Sequence, residues 1–268
     1  MSVLLQMSDT HFGTEQPPVM RALAALAAQQ RPDLVVLSGD ITQRARRAQF
    51  RTARGFVDSL GVPWLAIPGN HDIPLFDLAT RLLRPYARHR AAFGDELEPV
   101  HSSGELLVVC VNTTRAYRHK NGEVSARQIE RVGQRLAAAG REQLRIVVVH
   151  QPAAVMRAAD EHDRLRGHAP AVRHWAAAGA DIVMGGHIHL PYVMAVPGVA
   201  RPLWVVQAGT AVSWRVRDGA PNSVNLLRWG RDAPAGRCII ERWDFTGAGA
   251  RFVPSATTEV QPHRTDAE

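Results

Sequence analysis

Short, mostly continuous apolar runs alternate with amphipathic stretches over the first two thirds of the chain. This alternation constrains the fold more than any other feature. Residues 3–7, 34–37, 64–67, 106–111, 145–149 and 181–184 read as strands. Their unbroken apolar character predicts central strands buried on both faces. Residues 19–30, 45–60, 125–139 and 171–178 read as helices, with Ser125 as an N-cap and Gly140 and Gly179 as stops. Strand–helix alternation of this kind predicts an α/β fold. Beyond residue 190 the pattern changes. Residues 192–196, 203–207, 224–229 and 238–245 read as strands joined by Gly/Pro turns, which predicts a second, more antiparallel sheet. Residues 75–93 read as a helical insertion at about 74–93. One domain is expected over 1–253, with a loose polar tail over 254–268.

Each strand of the first part ends in polar residues that a hydrophobic core does not need. Met7-Ser8 leads to Asp9-Thr10-His11, Leu37-Ser38 to Gly39-Asp40, and Ile67-Pro68 to Gly69-Asn70-His71-Asp72. Val148-Val149 leads to His150, and Val183-Met184 to Gly185-Gly186-His187-Ile188-His189. Ligands of α/β sheets bind beyond the carboxyl ends of the strands, so five strand ends point Asp, His and Asn at one region. Taken singly, each motif has a bland reading as a turn, a cap or a hydrogen-bonded structural histidine. The joint, ordered pattern is what carries weight. Residues i and i+2 of an extended segment project to one side. Asp9 and His11 can therefore grip one ion, and His187 and His189 can offer two imidazoles to one locus. A donor set of carboxylate, imidazole and amide oxygen suits Mn²⁺, Fe or Zn²⁺ better than Ca²⁺.

Composition narrows the remaining classes. Hydrophobic residues make up 46% and charged residues 21%, a balance that suits a globular domain with a substantial core. No apolar run approaches the ~20 residues of a membrane-spanning helix. The first residues read as a strand and not as a leader, so a cytoplasmic location is expected. Cys110 and Cys238 sit in apolar runs and read as buried free thiols. The net charge is +7, and Lys120 is the sole lysine among 32 basic residues. The arginines are scattered, whereas a nucleic-acid surface gathers charge and interleaves aromatics. No stable nucleic-acid binding is expected, although attraction for anionic small molecules is.

Asp9-x-His11, Gly39-Asp40, Gly69-Asn70-His71-Asp72, His150 and Gly186-His187-x-His189 together resemble the signature of the calcineurin-like metallophosphoesterases, over about residues 1–210. The Gly-Asn-His-Asp form, the insertion after it and Gln207-Ala208-Gly209-Thr210-Ala211 resemble the bacterial class III cyclic-nucleotide phosphodiesterase branch. The resemblance implies a four-layer α/β/β/α sandwich of two mixed sheets. It implies two metal ions per chain, Mn²⁺ and/or Fe foremost, with Zn²⁺ an option. Asp9, His11, Asp40 and His189 would bind the first. Asp40, Asn70, His150 and His187 would bind the second, with Asp40 shared. Asn70 and His71 would contact the phosphate, and His71 would protonate the leaving oxygen. Asp72 would either orient His71 or cap the next helix. Gln151 departs from the second histidine that many relatives carry, and is expected to alter the rim of the site and not the metals.

Two arginines, Arg115 and Arg215, are candidate substrate contacts, with solvated loop arginines as the alternative. Trp214 is a rim or core residue, or a platform for a base. His89, His101, His119, His162, His168, His174 and His263 lie outside the motifs and are expected at the surface or in loops. The expected activity is a dinuclear metal-dependent phosphodiesterase acting on a small phosphoester, with cyclic nucleotides in view. Three alternatives remain open: a hydrolase of pyrophosphates or other phosphoesters, such as a nucleotide-sugar lipid precursor or a nucleic-acid end; an inactive scaffold of the same fold; and a basic nucleic-acid-binding module.

Overall fold

The computed structural model describes residues 1–230 and 236–264. Twelve strands are present among them: β1 (Ser2–Met7), β2 (Leu34–Ser38), β3 (Trp64–Ile67), β4 (Val100–Ser102), β5 (Leu106–Cys110), β6 (Leu144–Val148), β7 (Ile182–Gly185), β8 (Tyr192–Ala195), β9 (Trp204–Gln207), β10 (Ser223–Trp229), β11 (Cys238–Thr246) and β12 (Arg251–Val260). Six α-helices join them: α1 (Pro17–Gln30), α2 (Arg47–Ser59), α3 (Leu78–Leu83), α4 (Ala87–Phe93), α5 (Ala126–Ala137) and α6 (His168–Ala177).

The strands form two six-stranded sheets, ordered β12-β11-β10-β1-β2-β3 and β4-β5-β6-β7-β9-β8. In the first, β1, β2 and β3 are parallel and β10 to β12 are antiparallel. In the second, β5, β6, β7 and β9 are parallel, flanked by antiparallel β4 and β8. Three apolar layers follow from the two faces of each sheet. Leu5, Met7, Val35 and Leu37 pack under α1 and α2 with Leu23, Leu26, Phe50 and Val57. Val109, Val147 and Val183 pack under α5 and α6 with Val132, Leu136 and Trp175. Leu4, Leu34, Val36, Val108, Ile146, Val148 and Ile182 fill the space between the sheets. The result is the α/β/β/α sandwich expected, with central strands buried on both faces because both faces meet apolar neighbours.

Local sequence explains the helix ends. Pro17 and Pro18 occupy the first turn of α1, where a missing N–H costs nothing. Ser125 Oγ accepts the Gln128 N–H and Gln128 Oε1 accepts the Ser125 N–H, a reciprocal cap on α5.

Three sequence expectations need correction. The strands after residue 190 do not build a sheet of their own: β8 and β9 join the second sheet, while β10 to β12 extend the first. Strand order depends on crossovers, which local pattern does not encode. The helical insertion is two short helices, α3 and α4, because Pro85 disfavours helical backbone at Arg84 before it. Residues 254–260, expected as loose tail, are the outer part of edge strand β12, paired with β11. Its Thr257, Thr258 and Val260 favour extended backbone, and an edge strand tolerates Pro254 and a mostly exposed face. Residues 265–268 of that tail lie outside the described residues. Cys110 and Cys238 are buried free thiols.

Candidate metal centre

The ends of β1, β2 and β3 in one sheet face those of β6 and β7 in the other. The Asp9-x-His11 and Gly39-Asp40 segments run together through backbone bonds: Asp9 N–H to the Gly39 carbonyl (3.1 Å), His11 N–H to that of Asp40 (3.0 Å) and Phe12 N–H to that of Ile41 (2.8 Å). The sheets are tied across the site as well. His187 N–H donates to both Asp9 carboxylate oxygens (3.1 and 3.0 Å), and Gly186 N–H to the His150 carbonyl (2.9 Å). Beneath the site a buried amide network spans the gap. Gln6 Nε2 donates to the Gly185 carbonyl at 3.0 Å, and Asn225 Nδ2 to Gln6 Oε1 at 2.9 Å.

Backbone conformation singles out the same residues. Eight non-glycine residues among those described have positive φ, and five are expected ligands: Asp9 (50°), His11 (42°), Asp40 (48°), His187 (75°) and His189 (56°). Such conformations cost ~1–3 kcal/mol each and collect where function demands a side-chain direction. Two glycines are required by close approach: a Cβ at Gly69 would collide with the Asp40 backbone nitrogen, and one at Gly186 with Ser8 Oγ and the Asp9 carboxylate.

Seven expected ligands converge. Ligand atoms of Asp9, His11 and His189 lie within 4.8 Å of one another, as do those of Asp40, His150 and His187, and those of His11, Asp40 and His71. His11 Nε2 and His189 Nε2 are 3.2 Å apart, and His189 Nε2 is 3.3 Å from Asp9 Oδ1. His150 Nε2 lies 3.2 Å from Asp40 Oδ1 and 3.3 Å from Asn70 Oδ1. Asp40 belongs to two of the groups and therefore joins them.

The electrostatics fit cations. Burial opposes the charge of Asp9, yet the His189 imidazole beside it and then His150 bring its pKa down to about 2. Burial likewise opposes charge on Asp40, and His150 with His71 holds it well below the carboxylate range. The same carboxylates act in reverse on the rings. Against the cost of burial, Asp40 pushes His150 up to about 9, and Asp9 raises His189. His11 falls to about 3 through burial, and His187 to about 4 through burial and the nearby His150. Carboxylates that draw protons onto two of the four buried imidazoles, His150 and His189, draw metal cations in their place. Two buried carboxylates, four imidazoles and one amide oxygen match the donors of Mn²⁺, Fe or Zn²⁺.

His71 and Asp72 part company. His71 N–H donates to Asp40 Oδ1 (2.8 Å), which fixes the residue beside the shared carboxylate. Its Nδ1 lies 3.0 Å from the Gln43 carbonyl, leaving Nε2 toward the centre. Asp72 does not orient that ring. Its fully buried carboxylate accepts from Ile41 N–H (3.0 Å), Thr42 N–H (2.8 Å), Thr42 Oγ1 (2.8 Å) and Gly69 N–H (2.9 Å). Of the two roles left open for Asp72, its direct bonds are those of a backbone cap: it accepts from the N-cap Gly69 of the 70–72 turn and staples the loop carrying Asp40 to the loop carrying Asn70 and His71. Burial, then the charge of Asp40, raises its pKa to about 6.

The two candidate arginines also separate. Arg115 donates to the Asn112 and Thr114 carbonyls and to Gln128 Oε1, so its guanidinium is taken up in holding its own loop to α5. Arg215 donates to Gln43 Oε1 at 2.8 Å, and its Nη1 lies 3.4 Å from His71 Nε2 and 3.5 Å from His11 Nδ1. No acidic side chain among the described residues pairs with it. Trp214 beside it is exposed. A cavity of about 100 Å³ opens next to Asn70 and His71, lined by Gln43, Arg44, Arg81 and His119. Gln43 carried no sequence signal, because its role depends on where its carbonyl and amide fall in space. Gln151 is buried and not on the rim. It accepts from Thr113 Oγ1 (2.6 Å) and donates to the Lys120 carbonyl (3.2 Å), anchoring the 113–122 loop. His89, expected at the surface, is buried against Phe50 and Phe93.

A family model of calcineurin-like phosphoesterases matches residues 2–191. The chain belongs to that family. Among relatives, a cAMP/cGMP dual specificity phosphodiesterase of Mycobacterium tuberculosis is 26% identical over 206 residues, 70% of this chain and 61% of that protein. A glycerophosphodiester phosphodiesterase of Enterobacter lignolyticus is 35% identical over 81 residues, 26% of this chain and 29% of that protein. The matched part thus spans less than two thirds of either phosphodiesterase. A dimetal phosphatase of Danio rerio has the same fold, with a TM-score of 0.69 at 13% identity, covering 98% of this chain and 99% of that one. Family and geometry agree on a dinuclear divalent-metal site of calcineurin-like type. No helix among the described residues is long and apolar enough to cross a membrane.

Proposed function

We propose that this calcineurin-like protein is a metal-dependent phosphodiesterase acting on a small phosphodiester. The observation that carries the reading is the convergence of Asp9, His11 and His189 with Asp40, His150 and His187, with His71 beside the shared Asp40. Asp9, His11, Asp40 and His189 would hold one ion, and Asp40, Asn70, His150 and His187 the other, with Mn²⁺ or Fe as the expected metals. When bound, such a pair supplies a nucleophile from water at neutral pH and neutralises phosphoryl charge.

The chain's own residues do the rest. The Gln43 carbonyl holds His71 Nδ1, so Nε2 is the nitrogen that can give a proton. Water attacks phosphorus in line as the P–O bond to the leaving group breaks; the alkoxide takes the Nε2 proton of His71 in its imidazolium form, and the proton that the water gives up recharges the ring. Arg215, between His71 and His11 and without a carboxylate partner, is placed to take a non-bridging phosphoryl oxygen. A diester needs a proton on its leaving oxygen more than a pyrophosphate does, and the placement of His71 therefore favours the diester. The names of the relatives add cyclic nucleotides and glycerophosphodiesters as substrates to try.

Rates on bis-p-nitrophenyl phosphate, its monoester, cyclic AMP and glycerophosphocholine, with and without added Mn²⁺, test the reading. Metal-dependent turnover of diesters well above the monoester is expected. An Arg215→Ala variant should raise KM for the diester about 10- to 100-fold, the loss of one charge-assisted hydrogen bond. Metal-independent turnover, or none on any phosphoester with metal bound, would overturn it.

A further inference from the structure

Most imidazoles at the centre have their outward nitrogen fixed by a backbone carbonyl. His150 Nδ1 lies 2.9 Å from the Ser38 oxygen, His189 Nδ1 2.6 Å from that of Arg215, and His71 Nδ1 3.0 Å from that of Gln43. His187 differs. It is buried, and neither of its ring nitrogens has a hydrogen-bond partner. Its Nε2 faces a carboxylate instead: Asp163 Oδ1 stands 3.8 Å away. Asp163 closes the 3₁₀ turn Ala158–Asp163 and is only 7% exposed, so its charge acts in a poorly solvated place. Lys120 Nζ lies 2.6 Å from the same oxygen, and His162 Nε2 3.3 Å from the other.

A histidine that binds a metal through one nitrogen usually gives the N–H of the other to a carboxylate or carbonyl, which fixes the tautomer and strengthens the ligand. The 3.8 Å separation exceeds the ~3.2 Å limit of an N–H···O bond by about 0.6 Å, and both His187 Nε2 and Asp163 Oδ1 are buried without a hydrogen-bond partner. The neighbouring carboxylate Asp160 is committed elsewhere: it accepts from Arg217 Nη2 at 2.8 Å.

We propose that Asp163 is the positioning residue for His187, accepting its Nε2–H, presenting Nδ1 to the cation and so setting the affinity of one of the two metal positions. Lys120 shares the accepting oxygen and tempers its charge. This inference rests on the assignment of His187 as a ligand.

Equilibrium dialysis against graded free Mn²⁺, read by elemental analysis, tests it, with melting of the metal-free protein followed in parallel. The wild type should bind two ions per chain. Asp163→Ala should weaken one ion about 10- to 100-fold, leaving the other ion and metal-free melting unchanged. Asp163→Asn keeps an acceptor oxygen without the charge and should fall between. Lys120→Met should weaken neither ion, and Asp160→Asn, as a control, should not single out one. Wild-type affinity for both ions in Asp163→Ala or Asp163→Asn overturns the proposal. So does loss of both ions with lowered metal-free melting, since Asp163 would then only hold its loop. If Asp163→Ala fails to fold, Asp163→Asn decides by the same criteria. Failure of the wild type to bind two ions sinks the ligand assignment itself, and is thereby distinguishable.

Discussion

Residues adjacent in sequence do different work here. In Asn70-His71-Asp72, the first offers an amide oxygen 3.3 Å from His150 Nε2, the second a ring nitrogen toward the centre, and the third a buried carboxylate that four donors of two loops share. The separation gives a sharp expectation for His71→Ala. On the assignment proposed above the ring is a neighbour of the ligands and not one of them, so metal content should stay near wild type. The kcat on an unactivated diester should fall about 10²- to 10⁴-fold, the usual weight of a general acid. On a diester whose leaving group needs no proton the loss should be much smaller. Equal losses on both substrates would remove His71 from proton transfer.

At the scale of elements, α4 carries a group that couples its packing to pH. His89 lies in a tilted and edge-on cluster with Phe50 of α2 and Phe93, without a hydrogen bond to either ring nitrogen. Burial, then the charge of Arg90, lowers its pKa from 6.5 to about 3. Above pH 6.5 the ring is neutral folded and unfolded, and contributes no pH dependence. Below it only the unfolded chain takes the proton, so stability falls by about 1.4 kcal/mol per pH unit until the folded pKa is approached. Denaturant melts of wild type and His89→Phe between pH 7 and 5 should diverge toward acid, with the variant losing less. Parallel slopes would show that the ring is not held neutral. The same elements show what sequence could reveal. The central strands were legible because both faces meet apolar layers, and Asp9, His11, Asp40, Asn70, His150, His187 and His189 were legible because strand ends carried them. Edge strand β12 was not, since a mostly exposed strand needs no apolar face to announce it. Nor were His89, Gln43 and Asp163, whose surroundings come from segments distant in the chain. For Asp72 the sequence left two roles open, because a carboxylate after a histidine looks the same whether it holds a ring or a backbone.

On the scale of the whole molecule, the centre is a joint between two sheets. Asp9, His11, Asp40 and Asn70 follow strands of one, and His150, His187 and His189 follow strands of the other. Unfolding scatters all seven, so any ion bound there adds its binding free energy to the stability of the sandwich. At a free metal concentration 100 times its Kd, one ion contributes about 2.7 kcal/mol. Calorimetry should therefore show chelation lowering Tm by on the order of 5 °C or more. An unchanged Tm would mean that the ligands bind no ion tightly in the folded state. The shared position of Asp40 allows the most direct test of the central claim, that side chains of both sheets hold two cations. Elemental analysis of wild type and Asp40→Ala, each saturated with Mn²⁺ and gel-filtered, should give two ions per chain in the first and fewer than one in the second. Two ions retained by Asp40→Ala, or none bound by the wild type, would contradict it.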